Sequence, residues 1–242
     1  MKRHAIIPAL TLCCLILIPG WANDNAVGKT LFSSRKTAGV KSFIRDKFLK
    51  EKKSPNGSIS VGGELAGGNI VFINLYWVTG SEPAILHKTA KGWVLSYPLG
   101  DELWGKDWTH LEDLGLGTYY AVLDHIIEGP GPELIILRSD DRGKTWRVRG
   151  MLKKNWYWSS LHEFKMAKSG LGSATLYLYE DSGLPVHKPG FYHYQTRDGG
   201  KTWTGPRYEN ARPRYNVQGV IVDFSPQYRT LKGFMSWLAA RK

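Results

Sequence analysis

Carboxylate side chains in two loop-like stretches are the first candidates for chemistry. They are Glu102 and Asp107 in PLGDELWGKDW, and Glu180 and Asp181 in EDSGLPVHKP. Two carboxylates roughly 5–9 Å apart can cleave a glycosidic bond, because one protonates the leaving oxygen while the other activates water or attacks the sugar. One residue from each stretch would supply such a pair. The competing interpretation is that all four are hydrated turn residues.

Aromatic and cationic residues in similar stretches predict binding. Trp, Tyr and Arg contribute most at protein interfaces, and arginine also holds carboxylates in two-point contacts. For the tryptophans, the alternative is simple packing within a β-rich core. The predicted binding set is Trp104, Trp108, Trp156, Trp158, Arg207, Arg212, Arg214, Tyr215, Glu180 and Asp181.

Other kinds of site are not indicated. The sequence contains no histidine spacing typical of metal sites, no Gly-rich phosphate loop and no nucleophilic serine turn. We therefore predict neither a metal nor a cofactor.

An eight-residue stretch that occurs twice is expected to define the turns between the strands that position these loops. SDDRGKTW at 139–146 and TRDGGKTW at 196–203 share a hydroxyl residue, Asp, Gly, Thr and Trp in fixed order. Each copy follows an apolar run, so the pattern predicts strand, tight turn, strand. Asp can accept hydrogen bonds from its own turn, and Gly can adopt positive φ. The predicted structural residues are Ser139, Asp141, Gly143, Trp146, Thr196, Asp198, Gly200 and Trp203.

These two stretches resemble the Asp-box, S/T-x-D-x-G-x-T/S-W, also called the bacterial neuraminidase repeat. In that family the motif ties the turn between the third and fourth strands of a β-propeller blade, on the face opposite the ligand site. The resemblance implies that Asp141 and Asp198 brace turns and do not catalyse a reaction. It also implies that the loops of the binding set lie on the opposite face. Both enzymes and non-catalytic proteins carry the motif, so it does not define a function.

The body of the chain, residues 59–242, alternates short apolar runs with Gly and Pro and shows no long helical pattern. Trp93, in the related stretch HKTAKGW, precedes Trp146 and Trp203 at intervals of roughly 50 residues, the spacing of propeller blades. We predict an all-β domain, namely a small sialidase-like, Asp-box β-propeller of four or five blades. Residues 216–224 would begin the last blade, and residues 59–66 would supply its closing strand.

The N-terminal part has two predicted segments. Residues 1–22 have a basic start, an apolar run and small residues at 20–22, which is typical of a signal peptide. This predicts export, either to a periplasm or outside the cell. Residues 23–58 are basic, and 40–53 have the apolar spacing of a short amphipathic helix. That helix would pack on the domain edge or present a basic docking surface.

Charge predicts the kind of partner. Loss of Lys2 and Arg3 with the signal peptide would change the net charge from +12 to +10, and Cys13 and Cys14 would also leave. A basic chain favours an acidic protein or an acidic glycan. Nucleic acid is not expected, since no nucleic-acid-binding motif is present. Stable membrane insertion is not expected after cleavage, and the oligomeric state is not indicated.

A sialidase would need features that the chain lacks. In that family three arginines from separate blades hold the substrate carboxylate, beside a Tyr–Glu nucleophile pair and an Asp acid/base. Here the Arg-Ile-Pro motif is absent, the three candidate arginines share one stretch, and Tyr215 has no recognisable Glu partner. The preferred hypothesis is an exported non-catalytic binding protein, an inhibitor or immunity-type protein against a secreted enzyme or toxin. The alternative is a sialidase-like glycoside hydrolase or a glycan-binding module.

Overall fold

The structure is a computed structural model of the 242-residue chain. It describes residues 27–33, 39–44, 58–77, 80–99, 103, 105–125, 133–154, 159–178, 188–211, 227–228 and 231–241. The predicted signal peptide and the predicted last-blade run, 216–224, lie outside these ranges.

Fourteen strands among the described residues make the protein predominantly β. In chain order they are β1 Thr30–Ser33, β2 Ser58–Leu65, β3 Ile70–Trp77, β4 Gly80–Thr89, β5 Gly92–Ser96, β6 Lys106–Asp113, β7 Tyr119–His125, β8 Glu133–Ser139, β9 Thr145–Lys153, β10 Ser159–Met166, β11 Gly172–Leu178, β12 Gly190–Thr196, β13 Thr204–Glu209 and β14 Gln227–Tyr228. The all-β prediction is confirmed for the bulk of the described chain.

The strands form three antiparallel sheets, each built on four consecutive strands. The first sheet has the order β14-β2-β3-β4-β5, the second β1-β9-β8-β7-β6 and the third β10-β11-β12-β13. Residues 59–66, predicted to close the last blade, fall largely within β2, between β3 and the two-residue strand β14.

Two loop-like stretches are partly strand. PLGDELWGKDW, residues 98–108, was assigned to a loop, but β6 begins at Lys106 and pairs with β7 through Asp113. Residues 79–83, TGSEP, are a polar run with Gly and Pro, yet β4 begins at Gly80 opposite Trp77. In both cases, pairing with the neighbouring strand extends regular structure into a polar stretch that has no strand pattern of its own.

Helices flank the first sheet. Residues 40–44 are helical (α1), with Val40 and Ile44 buried, and the rest of the predicted helix 40–53 lies outside the described residues. A second helix, α2 at Leu231–Ala239, was not predicted. Its nine residues bury Phe234 and Leu238 on one face, and an apolar pattern this short is hard to distinguish from a strand.

Alternate side chains of the central strands enter different hydrophobic cores, which pack the sheets against one another. On β3, Ile70 and Phe72 enter a core between the first and second sheets, whereas Val71 enters a core shared with α1 and α2. On β8, Leu137 faces the first core and Ile136 faces a third core between the second and third sheets. Because successive strand residues point to opposite faces, the second sheet is covered on both sides.

Two ends of the molecule follow from the strand order. Each sheet contains four consecutive strands: β2–β5, β6–β9 or β10–β13. The connections from the first to the second and from the third to the fourth of these strands leave from the same end, here called the turn end. The connections between strands two and three, and from one sheet to the next, leave from the opposite end, here called the loop end. The repeated eight-residue stretches lie at the turn end.

Candidate functional site

The first repeated turn, 139–146, is held by a closed set of hydrogen bonds around Asp141. Oδ1 of Asp141 accepts from Ser139 Oγ at 2.8 Å and from the Thr145 backbone N–H at 2.9 Å. Its Oδ2 accepts from Thr145 Oγ1 at 2.7 Å. The Gly143 N–H donates to Ser139 Oγ at 2.8 Å, and Trp146 Nε1 donates to the Gly143 carbonyl at 3.0 Å.

The second repeated turn, 196–203, has the same hydrogen bonds at the same positions. Asp198 accepts from Thr196 Oγ1 at 2.9 Å, from the Thr202 N–H at 3.0 Å and from Thr202 Oγ1 at 2.6 Å. The Gly200 N–H donates to Thr196 Oγ1 at 3.0 Å, and Trp203 Nε1 donates to the Gly200 carbonyl at 3.2 Å. Equal spacing of residue types therefore produces equal local structure.

These contacts keep both aspartates ionised. Desolvation would raise the pKa of Asp198, but hydrogen bonds from the Thr202 side chain and backbone and from Thr196 outweigh it and lower the pKa to about 2. The same opposition, with Thr145 and Ser139 as the main donors, lowers the pKa of Asp141. A carboxylate whose oxygens are already occupied by donors is poorly suited to transfer a proton.

The three tryptophans of the related stretches lie at the same place in successive sheets. Trp93 is near the start of β5, Trp146 near the start of β9 and Trp203 directly before β13. Trp146 is fully buried in the first core, whereas Trp93 and Trp203 are partly buried against the second and third cores.

At the loop end, a cluster of ionisable residues joins the sheets. The Tyr76 hydroxyl at the end of β3 donates a short hydrogen bond to Asp107 Oδ2 near the start of β6. Burial, and to a lesser degree the Asp107 charge, raise the pKa of Tyr76. Desolvation also raises the pKa of Asp107, although hydrogen bonds from Tyr76 and Ser81 oppose it. The pair links the first sheet to the second.

A buried ion pair extends this loop-end cluster. Lys154, whose side chain is 1% exposed, donates from Nζ to Asp124 Oδ1 at 2.5 Å and to the Ser159 carbonyl at 3.2 Å. Asp124 faces Asp107 across the β6–β7 ladder. Because Ser159 begins β10, Lys154 ties the second sheet to the third.

Two further charged groups lie within electrostatic range of the ion pair. Lys106 is buried, and desolvation lowers its pKa against the attraction of Glu133 and Asp124. Desolvation raises the pKa of Glu133 against the attraction of Lys106 and Lys153. Both shifts favour the neutral forms, which is how proton donors and acceptors near neutral pH are prepared.

The loop-end cluster can support two kinds of chemistry. As a set of mutually paired charges it stabilises the positions of strand ends from three sheets. As a reactive site it offers a carboxyl of raised pKa, although Asp107 Oδ1 is buried and not directly accessible to a substrate. The cross-strand carboxylates Asp107 and Asp124 also have Cβ atoms about 5 Å apart by the usual ladder geometry.

Few residues of the predicted binding set lie within the described ranges. Trp108 is 6% exposed, packs on Phe32 and Phe72, and donates from Nε1 to the Ile73 carbonyl at 3.1 Å. It belongs to the core and cannot present its ring to a partner, which corrects its assignment to a binding loop. Arg207 is exposed on the edge strand β13. Outside the described residues lie Trp104, Trp156, Trp158, Arg212, Arg214, Tyr215, Glu180 and Asp181.

The hypothesised carboxylate pair is not tested, because Glu102, Glu180 and Asp181 lie outside the described residues. Among the described residues, Asp107 contacts Tyr76 and faces Asp124. Tyr76, Asp124 and Glu133 were not singled out from the sequence. The available signal was a polar residue directly at the end of an apolar run, as in YYAVLDH, because the ends of neighbouring strands meet at one edge.

Metal ligands and membrane-spanning helices are not found in the described part of the chain. No group of three or more His, Cys, Asp or Glu side chains there is arranged to hold a metal ion. None of the helices described is long and apolar enough to cross a membrane.

No protein-family model matches this chain, and no curated protein matches its sequence.

Proposed function

We propose that this protein is an exported, non-catalytic β-propeller of the Asp-box type that binds a partner with its loop end. The partner we favour is an acidic secreted enzyme or toxin, which the protein would inhibit or neutralise. The wheel arrangement, the export and the partner are parts of this proposal.

The observation that carries the proposal is the mutual pairing of the charged groups at the loop end. Lys154 is bound to Asp124, and Tyr76 is bound to Asp107, so these groups are occupied by each other. A buried ion pair with additional hydrogen bonds contributes more to fixing one conformation than to net stability. Strand ends held in this way suit a preorganised interface, since their rigidity reduces the entropy lost on binding.

A binding experiment tests the proposal. The protein would be used to capture proteins exported by its own source, and the affinity for a purified captured protein would then be measured by calorimetry. We expect Trp156→Ala and Arg212→Ala each to weaken binding at least tenfold, because truncating a central Trp or Arg anchor commonly has that effect. Lys232→Ala, on the exposed face of α2, is the matched control and should bind like the parent. Equal affinity for all four proteins would reject the loop end as the binding face.

A second function is favoured by a different observation. Asp107 has a raised pKa and a neighbouring tyrosine and carboxylate. These are the components of a glycoside hydrolase or of a glycan-binding module.

Hydrolysis assays separate the two functions. A fluorogenic sialoside and a panel of neutral glycosides should give no turnover if the protein is a binder. Turnover that is lost in both Tyr76→Phe and Asp107→Asn would establish the hydrolase instead.

A further inference from the structure

An exposed leucine at the turn end has no stabilising role within the described chain. Leu116 is 93% exposed at the tip of the β6–β7 turn. Its φ is +58°, between Gly115 and Gly117, which also have positive φ. A leucine is unfavourable both in the left-handed region and in water. Strain of this kind that persists without an internal benefit points to a contact outside the chain.

The neighbouring sheet presents a second exposed leucine. Leu171 is 54% exposed at the last position of the β10–β11 turn, directly before β11. Its carbonyl accepts from the Ala167 N–H at 2.8 Å, so Lys168, Ser169 and Gly170 form the tip of that turn.

The two turns that carry these leucines are close together and are bonded to the repeated turns. A Cβ placed on Gly115 would lie 3.8 Å from Lys168 Nζ at the tip of the other turn. The Arg142 N–H donates to the Gly117 carbonyl at 3.0 Å, and the Gly199 N–H donates to the Gly170 carbonyl at 2.8 Å. Arg142 and Gly199 occupy the same, fourth position of the two eight-residue stretches. Both tips are thus fixed to braced turns.

Cations surround these tips. Five exposed basic residues lie on the tips and turns, and none of them has an ion pair within the described part of the chain: Arg142, Lys144, Lys168, Arg197 and Lys201. The nearby carboxylates are already engaged. Asp140 is paired with Arg138, and Asp113 accepts from the Gly115 N–H at 2.6 Å.

A groove between the two turns adds to this positive charge. It has a volume of about 530 Å³ and is lined by Arg138, Arg147, Arg149 and Lys201, together with Asp140 and Asp141. Arg149 is held by the carbonyls of Asp198 at 2.6 Å and Gly199 at 3.1 Å, which leaves its charge without a carboxylate counterpart among the described residues. A fixed guanidinium of this kind suits a phosphate group.

We propose that the turn end docks peripherally on an anionic lipid bilayer, with Leu116 and Leu171 in the interface and the surrounding cations against the headgroups. Charge alone would fit any polyanion, but two exposed leucines in adjacent turns have no function against a sugar or a phosphate backbone. Apolar contact combined with basic charge gives reversible adsorption to an anionic surface. This docking goes beyond partner binding and leaves the loop end facing away from the bilayer.

Vesicle co-sedimentation of the full chain tests the proposal. The vesicles would contain phosphatidylcholine alone or with about one-third phosphatidylglycerol. We expect binding to the anionic vesicles that weakens at high salt. Leu116→Asn/Leu171→Asn should lower the partition coefficient about tenfold or more. Leu99→Asn is the matched control, since Leu99 is 37% exposed in the β5–β6 connection at the loop end.

Further variants make the result decisive. Asn tolerates positive φ, so the double variant should keep the parent's thermal unfolding midpoint, and a similar midpoint attributes lost binding to the missing leucines. Arg142→Glu/Lys201→Glu should abolish the preference for phosphatidylglycerol. Unchanged vesicle binding by the leucine variant, or an equal loss with Leu99→Asn, would overturn the proposal. Parent protein that binds a heparin matrix but no vesicle would overturn it in favour of an acidic glycan.

Discussion

The two repeated turns have the same sequence pattern and the same hydrogen bonds, but they lie in different surroundings. The turn at 139–146 lies against the first sheet, where Trp146 is 0% exposed and packs edge-on against Phe72 at 5.4 Å. The turn at 196–203 lies on the third sheet, where Trp203 is partly exposed and its described ring neighbour is Phe164 at 6.0 Å. Identical local structure therefore coexists with different burial, and we expect the first turn to contribute more to stability.

The largest expected difference comes from the tryptophans. Trp146→Ala should lower the free energy of unfolding by about 3–5 kcal/mol, because it removes a fully buried aromatic ring and leaves a cavity. Trp203→Ala should lower it by about 1–2 kcal/mol, since only part of the ring leaves water. Urea unfolding monitored by circular dichroism measures both losses. Equal losses would show that the two turns are energetically equivalent after all.

The glycines provide a sharper comparison. Gly143 and Gly200 have φ of +79° and +88°, so an alanine at either position should be destabilising by about 1 kcal/mol from backbone strain. At Gly143 the new Cβ would also lie 2.6 Å from Ile70 Cδ1, whereas at Gly200 the nearest atom is Ile136 Cγ2 at 3.5 Å. We expect Gly143→Ala to lose about 2–3 kcal/mol and Gly200→Ala about 1 kcal/mol in the same urea experiment. A Gly200→Ala loss as large as that of Gly143→Ala would contradict the difference in packing.

Replacing the aspartates should give a smaller difference. Asp141→Ala and Asp198→Ala remove the same three hydrogen bonds, each typically contributing about 1 kcal/mol. Once the carboxylate is removed, water can accept hydrogen bonds from the exposed Thr202 more readily than from Thr145, which is half-buried. We therefore expect losses of about 2 kcal/mol for Asp141→Ala and about 1 kcal/mol for Asp198→Ala. Lys232→Ala, on the exposed face of α2, is the control and should leave the unfolding free energy unchanged.

The smallest expected effect is a dependence of stability on acid. The folded pKa values of Asp141 and Asp198 are lowered, that of Asp198 to about 2, relative to about 4 in an unfolded chain. Their contribution to stability is therefore complete above about pH 4 and is lost as the pH falls toward 2. Thermal unfolding of the parent and of Asp141→Asn/Asp198→Asn across this range measures it. Parallel curves for the two proteins would mean that other groups control acid unfolding.

Short-range pattern was sufficient to locate much of the β structure. The apolar runs before each repeated stretch become β8 and β12, and the tryptophan positions mark the fourth strands of their sheets. The sequence pattern did not predict the elements that are stabilised by residues far away in the chain. β6 begins inside a predicted loop because β7 pairs with it, and α2 is stabilised by a core that includes Val40 and Ile59.

The candidate site was less accessible to sequence reasoning than the fold. Trp108 was assigned to a binding loop because the resemblance placed PLGDELWGKDW opposite the repeated turns. Strand alternation instead turns its ring inward, while Asp107 contacts Tyr76, 31 residues away in the chain. The two Gly-Leu-Gly stretches can be read from the sequence. Their significance depends on the exposure of Leu116 and Leu171 and on the φ angle of Leu116, which only the tertiary structure supplies.

The amino-acid sequence by itself determined the two braced turns, because every donor and acceptor of each network lies within eight consecutive residues. Tertiary structure decided which turn is buried, which tryptophan belongs to the core and which charges meet at the loop end. Those outcomes depend on the register of strands and the stacking of sheets, where a shift of one residue would reverse the face of every side chain.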